Sequence, residues 1–138
     1  MSEPLIVDAN PLVSALLGGR ADRIIATGLF RLHSTQFTLF EVAKHLPRLA
    51  QLLGCPELQL FQAFEHLPIE AYQPSVYADH EGRAMSIIGP RDERDVPLLA
   101  LALTYGYPLW SDDRDFEGID EIQLVTTAEL AAKVLDQA

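Results

Sequence analysis

The sequence predicts an α/β fold, a three-layer α/β/α sandwich around a central, mostly parallel sheet. Short apolar runs such as Leu5-Ile6-Val7 alternate with segments in which apolar residues recur at helical spacing. The segment 97–105 is apolar on all sides, which is typical of a helix buried between two layers. Acidic residues lie where these apolar elements stop or begin, and open α/β sheets gather ligand-binding side chains at such positions.

The chain begins with a strand, a loop and a helix. Leu5-Ile6-Val7 is continuously apolar and leads to Asp8, which predicts a buried parallel strand. Asn10 can cap the next helix, with Pro11 in its first turn and the Gly18-Gly19 pair as its stop. Three elements follow: a short helix over 22–27, a strand over 30–33 and a long helix over 35–53.

The second half of the chain continues the alternation. Pro47 lies inside the long helical pattern and predicts a kink or a break there. Gly89-Pro90 and Gly106 each end a helix. The remaining predicted elements are helices over 57–66, 76–88, 97–105 and 127–135, and strands over 69–72, 108–110 and 122–125.

Length and composition predict a single domain over residues 1–138. A chain of 138 residues with 49% apolar content can bury a core of its own. The single Cys55 excludes a disulfide framework and a thiolate zinc site, which favours a reducing, cytoplasmic setting. The sequence has neither a signal-peptide pattern at its start nor an apolar run long enough for a membrane span.

The net charge of −10 opposes binding of nucleic acid through a broad basic surface. This objection weakens because nine of the twenty acidic residues fall between Asp92 and Glu121, where divalent ions would cancel part of the charge. Arg91, Arg94 and Arg114 lie in the same stretch and are candidates for contacts with phosphates bridged through metal. Surface arginines in local ion pairs are the alternative interpretation of each.

Acidic residues in four separated segments are the candidates for chemistry: Asp8, Glu41, Asp92 with Asp95, and Asp112 with Asp113. Two carboxylates about 4 Å apart repel by roughly 4 kcal/mol at an effective dielectric constant near 20. If these segments converge, the cluster therefore needs a cation or shared protons. Hard oxygen ligands of this kind suit Mg²⁺ or Mn²⁺.

The chain resembles the PIN-domain family of metal-dependent ribonucleases, which includes the VapC-type toxins of bacterial toxin–antitoxin pairs. The resemblance covers nearly the whole chain and is carried by four motifs: Leu5-Ile6-Val7-Asp8-Ala9-Asn10, Phe40-Glu41-Val42, Asp92-Glu93-Arg94-Asp95 running into Leu99-Ala100-Leu101-Ala102, and Pro108-Leu109-Trp110-Ser111-Asp112-Asp113-Arg114-Asp115-Phe116. It implies that the metal ligands and catalytic residues are Asp8, Glu41, Asp95 and Asp113. Ser111 matches the small hydroxyl residue that accompanies them.

The residues themselves leave structural roles open. Asp8 could cap the following helix, and Glu41 lies off the apolar face of its helix, like a solvated side chain. Asp95 could also be a helix N-cap, and Asp92 could start that helix or support the site from outside. Asp112, Asp113 and Asp115 are close in sequence, so the identity of the ligand among them is ambiguous, and a turn stabilised by Asp side chains is an alternative.

The resemblance implies a Mg²⁺- or Mn²⁺-dependent endoribonuclease that leaves 5′-phosphate and 3′-hydroxyl ends. It further implies a homodimer, formed through the helix around 46–53, and an antitoxin partner if the protein is a toxin. One alternative is a PIN-like module that binds RNA or protein without cutting. A receiver-like signalling domain is less favoured, because only Asp8 follows the first strand. The sequence contains no zinc-binding histidine spacing, serine-hydrolase motif or glycine-rich phosphate loop.

Overall fold

The polypeptide forms a five-stranded parallel sheet between two layers of helices. The computed structural model describes residues 2–135. All strand pairs are parallel, in the order β3-β2-β1-β4-β5. The strands are β1 (Glu3–Val7), β2 (Phe30–Thr35), β3 (Ile69–Tyr72), β4 (Leu109–Trp110) and β5 (Leu124–Val125). The predicted α/β/α class is confirmed.

Seven α-helices connect and cover these strands within residues 2–135. They are α1 (Ala9–Leu16), α2 (Arg20–Ala26), α3 (Gln36–Leu53), α4 (Glu57–Glu65), α5 (Pro74–Ile88), α6 (Val96–Tyr105) and α7 (Thr127–Val134). Two 3₁₀ turns, Glu93–Asp95 and Arg114–Phe116, precede α6 and follow β4. No helix in this part of the chain is long and apolar enough to cross a lipid bilayer.

Two local predictions in the first half need correction. Helix α3 continues through Pro47, which contradicts the predicted break, and buried Leu46, Leu49 and Ala50 lie on both sides of the proline. Asn10 does not cap α1. The chain leaves β1 in an extended conformation at Asp8, so Asp8 is the N-cap, and the Ala9 N–H donates to its Oδ1 at 2.7 Å.

The sheet separates two apolar clusters according to strand alternation. Leu5 and Val7 face one side and pack in a cluster with residues of α1, α2 and α7. Ile6 faces the other side, in a cluster with residues of α5 and α6. Helix α6 contacts both α5 and the sheet, which explains why its sequence is apolar on all sides.

Strands β1 and β4 lie at the point where the order of connections reverses. From β1 the chain continues to β2 and β3 on one side, whereas β4 and β5 lie on the other side. The Asp8 N–H donates to the Trp110 carbonyl at 2.9 Å, so the residues after both strands leave the sheet side by side. Crevices at such points are the usual ligand sites of open parallel sheets.

Candidate metal-binding cleft

An open cleft of about 190 Å³ lies at the carboxyl ends of β1 and β4. The four predicted ligands all line it: Asp8, Glu41, Asp95 and Asp113. They come from the N-terminus of α1, the middle of α3, the turn before α6 and the loop after β4. The fold thus brings four segments, distant in sequence, to one acidic surface.

Asp8 is the most buried acid of the cleft, with 8% of its surface exposed. Its Oδ1 accepts the Ala9 N–H, and its Oδ2 accepts the Ser111 hydroxyl at 2.6 Å. Burial raises the pKa of Asp8, the bonds from Ser111 and Ala9 oppose that rise, and the charges of Asp113 and Asp112 add to it. Asp8 therefore combines the helix cap and a place in the cleft.

Hydrogen bonds continue from Asp8 along the loop after β4. Ser111 is fully buried, and its hydroxyl accepts the Asp113 N–H at 3.0 Å while it donates to Asp8. Asp113 Oδ1 in turn accepts the Asp115 N–H at 2.9 Å. One serine thus fixes the relative position of two carboxylates from different strands.

Asp95 holds a carboxylate that the protein leaves without a hydrogen bond. It occupies the N-cap position of α6, but its side chain makes no capping bond. Its Oδ2 is buried and has no partner among the described residues. Burial, followed by the charges of Asp8, Asp113, Asp92 and Asp115, raises the pKa of Asp95 to about 7.

Glu41 faces the cleft from α3 with 23% of its side chain exposed. The Lys44 ammonium lies 2.7 Å from Glu41 Oε1, and the Lys44 side chain is 52% exposed. Glu41 is therefore more than a solvated surface residue. It lines the cleft and forms an ion pair with Lys44.

A second acidic group overlaps the first at Asp95. One carboxylate oxygen from each of Asp92, Asp95 and Asp115 lies within 4.8 Å of the others. Arg94 contacts both Asp92 oxygens, at 3.1–3.2 Å, and its guanidinium lowers the pKa of Asp92. The charge of Asp92 is therefore already balanced, whereas Asp95 forms no salt bridge with any described residue.

Asp112 supports helix α7 and does not line the cleft. Its Oδ1 accepts the Thr127 N–H at 2.8 Å, and its Oδ2 accepts the Thr127 hydroxyl at 2.6 Å. The same hydroxyl accepts the Trp110 indole N–H. Both Asp112 oxygens are thus used at the start of α7, and any contribution to the cleft is indirect.

The three candidate arginines differ in their surroundings. Arg91 Nη1 donates to the carbonyls of Asp115 and Glu117, at 2.6 and 3.0 Å, and so ties the loop after β4 to the segment before α6. Arg94 lines the cleft but is paired with Asp92. Arg114 is exposed in the turn that follows Asp113.

Sequence analysis did not single out the other residues that α3 contributes to the cleft. Phe37, Thr38 and His45 line it together with Glu41. Positions 37, 41 and 45 repeat every four residues and lie on one helical face. Given Glu41 as a candidate, the four-residue spacing predicts that Phe37 and His45 lie beside it.

The donor set fits a hard divalent cation. The acidic groups offer only carboxylate oxygens, which is the ligand type that Mg²⁺ and Mn²⁺ prefer. The buried Asp95 Oδ2, which has no hydrogen-bond partner among the described residues, is the observation that favours a cation here. Burial of such an oxygen costs free energy unless a cation or a proton binds to it.

Comparisons with known proteins agree on the fold. A family model described as PIN domain matches residues 6–133. The structure is similar to VapBC2 from Rickettsia felis bound to a DNA fragment from their promoter (TM-score 0.70, 11% identity, 89% of this chain and 98% of that chain covered). It is also similar to a toxin–antitoxin complex from Klebsiella pneumoniae (TM-score 0.67, 19% identity, 89% and 97% covered). No curated protein matches the sequence.

The first prediction concerns Asp95→Asn in EDTA. Because the folded-state pKa is raised to about 7, the native state takes up a proton, and ionisation of Asp95 opposes folding above that pH. The variant should therefore melt a few degrees above the parent at about pH 8, and the difference should shrink toward about pH 5. Mn²⁺ should reverse the order, because it stabilises the parent by mass action. Thermal melts measure these differences. Asp95 has a structural role if the variant melts well below the parent at both pH values and Mn²⁺ raises the melting temperatures of both proteins equally.

The second prediction separates Asp112 from Asp113. Asp112→Ala removes two bonds to the start of α7 and should destabilise the protein by about 1–2 kcal/mol, while the Mn²⁺-induced rise in melting temperature remains. Asp113→Asn should show the opposite pattern, with little change in EDTA and a reduced Mn²⁺ shift. Denaturant unfolding and melts with Mn²⁺ measure both effects. Loss of the Mn²⁺ shift in Asp112→Ala would instead make Asp112 a ligand.

Proposed function

Because the PIN-domain model spans most of its length, the chain belongs to the PIN-domain family, and we propose that it is an endoribonuclease dependent on Mg²⁺ or Mn²⁺. Proteins of this family are generally nucleases. The observation that carries the proposal is that Asp8, Glu41, Asp95 and Asp113 line one cleft, in which Asp95 has a buried carboxylate oxygen without a hydrogen-bond partner among the described residues. A protein with no use for a cation gains nothing from such crowding.

In this proposal Asp8, Glu41, Asp95 and Asp113 are the catalytic residues that hold one or two ions. The bound ion supplies Lewis-acid chemistry, which activates water and stabilises charge on the phosphate and the leaving oxygen. Ser111 orients Asp8 Oδ2 and the backbone of Asp113 through its two hydrogen bonds. With Asp95 at a pKa of about 7, ion binding near neutral pH is coupled to release of a proton from its carboxyl.

The proposed substrate is RNA, cleaved to leave 5′-phosphate and 3′-hydroxyl ends. The reaction uses water as the nucleophile, so no protein side chain needs to form a covalent bond. The supporting acids have separate roles: Asp92 and Asp115 adjoin Asp95 in the second acidic group, whereas Asp112 holds α7. Arg94 and Arg114 are the remaining candidates for phosphate contacts, because Arg91 is engaged by two carbonyls.

We further propose a cytoplasmic toxin that an antitoxin protein neutralises. The similar structures from Rickettsia felis and Klebsiella pneumoniae are of toxin–antitoxin complexes, which supports this partner. A homodimer through the helix around 46–53 belongs to the same proposal. Of the leucines on that helix, Leu46 and Leu49 are buried in the monomer, whereas Leu52 and Leu53 are exposed and available for such an interface. A short open reading frame directly upstream, and co-purification of its product, would test the toxin assignment.

Metal dependence gives the third prediction. Cleavage of single-stranded RNA should disappear in EDTA and return with Mn²⁺ or Mg²⁺, because four crowded carboxylates bind phosphate only through a cation. Gel analysis of several labelled RNAs measures this. Cleavage that persists in EDTA would refute the metal-dependent mechanism, and no cleavage of any RNA with Mn²⁺ would favour an inactive binding module.

The fourth prediction tests Glu41. Glu41→Gln keeps the shape of the side chain but removes its charge, so cleavage should fall at least about a hundredfold while the melting temperature in EDTA stays near that of the parent. Glu65→Gln is the matched control, because Glu65 is exposed on α4 and does not line the cleft. Rates at low and high Mg²⁺ measure the effect. An unchanged rate for Glu41→Gln at low Mg²⁺ would return this residue to a surface role.

A further inference from the structure

We propose that Phe37 stacks on an unpaired nucleobase next to the phosphate that occupies the acidic cleft, and that this stacking supplies much of the affinity for single-stranded RNA. The inference rests on the proposed function, since it assumes that the cleft receives an RNA strand. Phe37 would favour single-stranded RNA, whereas the acidic residues would hold the ion.

Phe37 is the aromatic side of an otherwise acidic cleft. It lies in the first turn of α3, lines the cleft, and has 36% of its surface exposed. Ala9 and Val13 of α1 line the same cleft and add apolar surface to it. An aromatic ring of this kind offers a face to any base, because every base has a π surface.

The spacing from the acidic group suits a neighbouring nucleotide. Phe37 and Glu41 are separated by four residues on one face of α3, which is about 6 Å along the helix axis. This distance is on the scale of one nucleotide. A strand with its phosphate near the carboxylates therefore brings an adjacent base to the level of the ring.

The charges around the cleft leave little affinity for the phosphate backbone alone. The chain carries a net charge of −10. Three nearby basic groups already have partners: Lys44 pairs with Glu41, Arg94 with Asp92, and Arg91 with two carbonyls. Arg114 is exposed and is the candidate arginine that remains, so counter-ion release, the usual source of affinity for nucleic acid, has few basic groups to draw on here. Stacking supplies binding energy that does not depend on positive charge.

Phe40 provides a matched control on the same helix. It is 63% exposed, more than Phe37, but it does not line the cleft. The Lys44 ammonium lies 5.5 Å from the centre of its ring. Removal of either ring takes an exposed phenylalanine from α3, and only Phe37 faces the acidic residues.

The experiment measures binding by fluorescence anisotropy with a labelled oligoadenylate and with an abasic ribose-phosphate strand of equal length. Ca²⁺ replaces Mn²⁺, because its flexible oxygen coordination is expected to hold the strand without cleaving it, which a gel verifies. The proteins are the parent, Phe37→Ala, Phe37→Trp, Phe37→Leu and Phe40→Ala. Melting curves of each variant establish that it is folded.

Phe37→Ala should weaken oligoadenylate binding by about tenfold, whereas Phe37→Trp should restore it and Phe40→Ala should leave it unchanged. The loss of affinity caused by Phe37→Ala should be the same at about 50 and 200 mM KCl. Loss of a phosphate contact would instead change with the salt concentration. On the abasic strand Phe37→Ala should have no effect, as expected when the ring and the base are the two partners of one interaction.

Three outcomes would each overturn the proposal. Phe37→Ala could bind oligoadenylate as well as the parent does, Phe37→Leu could restore binding fully, or Phe37→Ala could lose as much affinity for the abasic strand as for oligoadenylate. Failure of the proposed function has a different signature, because it is the absence of cleavage with Mn²⁺ and is measured independently. A parent that binds without cutting, and loses binding only in Phe37→Ala, would keep the stacking role and refute the nuclease.

Discussion

The pairing of β1 with β4 is the constraint on which the cleft depends. The register aligns Val7 with Trp110, so Asp8 and Ser111 leave the sheet together and meet at 2.6 Å. A shift of one residue would turn alternate side chains to the opposite face of the sheet and separate this pair. Since Ser111 also binds the backbone of Asp113, the positions of two candidate ligands follow from one strand pairing and one buried hydroxyl.

Around that fixed pair, some acids have basic partners and others have none among the described residues. Lys44 and Arg94 pair with Glu41 and Asp92 near the solvent, where ion pairs form and exchange at small cost. Within residues 2–135, Asp8 has hydrogen bonds but no salt bridge, and the buried Oδ2 of Asp95 has no hydrogen-bond partner. The unbalanced charge is thus concentrated at the centre of the cleft, where a small cation interacts with several oxygens at once.

The sequence predicted the fold well because periodicity and short apolar runs reflect burial, and burial dominates the choice of elements. It placed Asp8 and the loop after β4 in one cleft for a related reason, since the carboxyl ends of parallel strands share one edge. Glu41 and Asp95 do not follow strands, and their prediction came from the family resemblance. Prediction from the sequence failed where tertiary contacts decide. The role of Asp112 depends on Thr127, and that of Arg91 on carbonyls more than twenty residues away. Local patterns contain neither relation, and the continuity of α3 past Pro47 likewise depends on buried neighbours.

Under the proposed function, an acidic protein that acts on RNA would have to couple the binding of its cation to the binding of the strand. Without a cation, the carboxylates of the cleft would repel a phosphate; Lys44 and Arg94 are already paired, and Arg114 is the exposed candidate arginine that remains. In the proposed function a bound divalent ion would offset part of this negative charge and offer the phosphate a positive ligand. Linkage then requires that a bound strand raise the affinity for the ion by the same factor. Stacking on Phe37 would contribute to the binding of the strand independently of charge, and would thereby favour occupation of the metal site whenever RNA is present. The acidic surface is consistent with a nuclease under this coupling, because repulsion in the ion-free state restricts productive binding to the ion-loaded cleft.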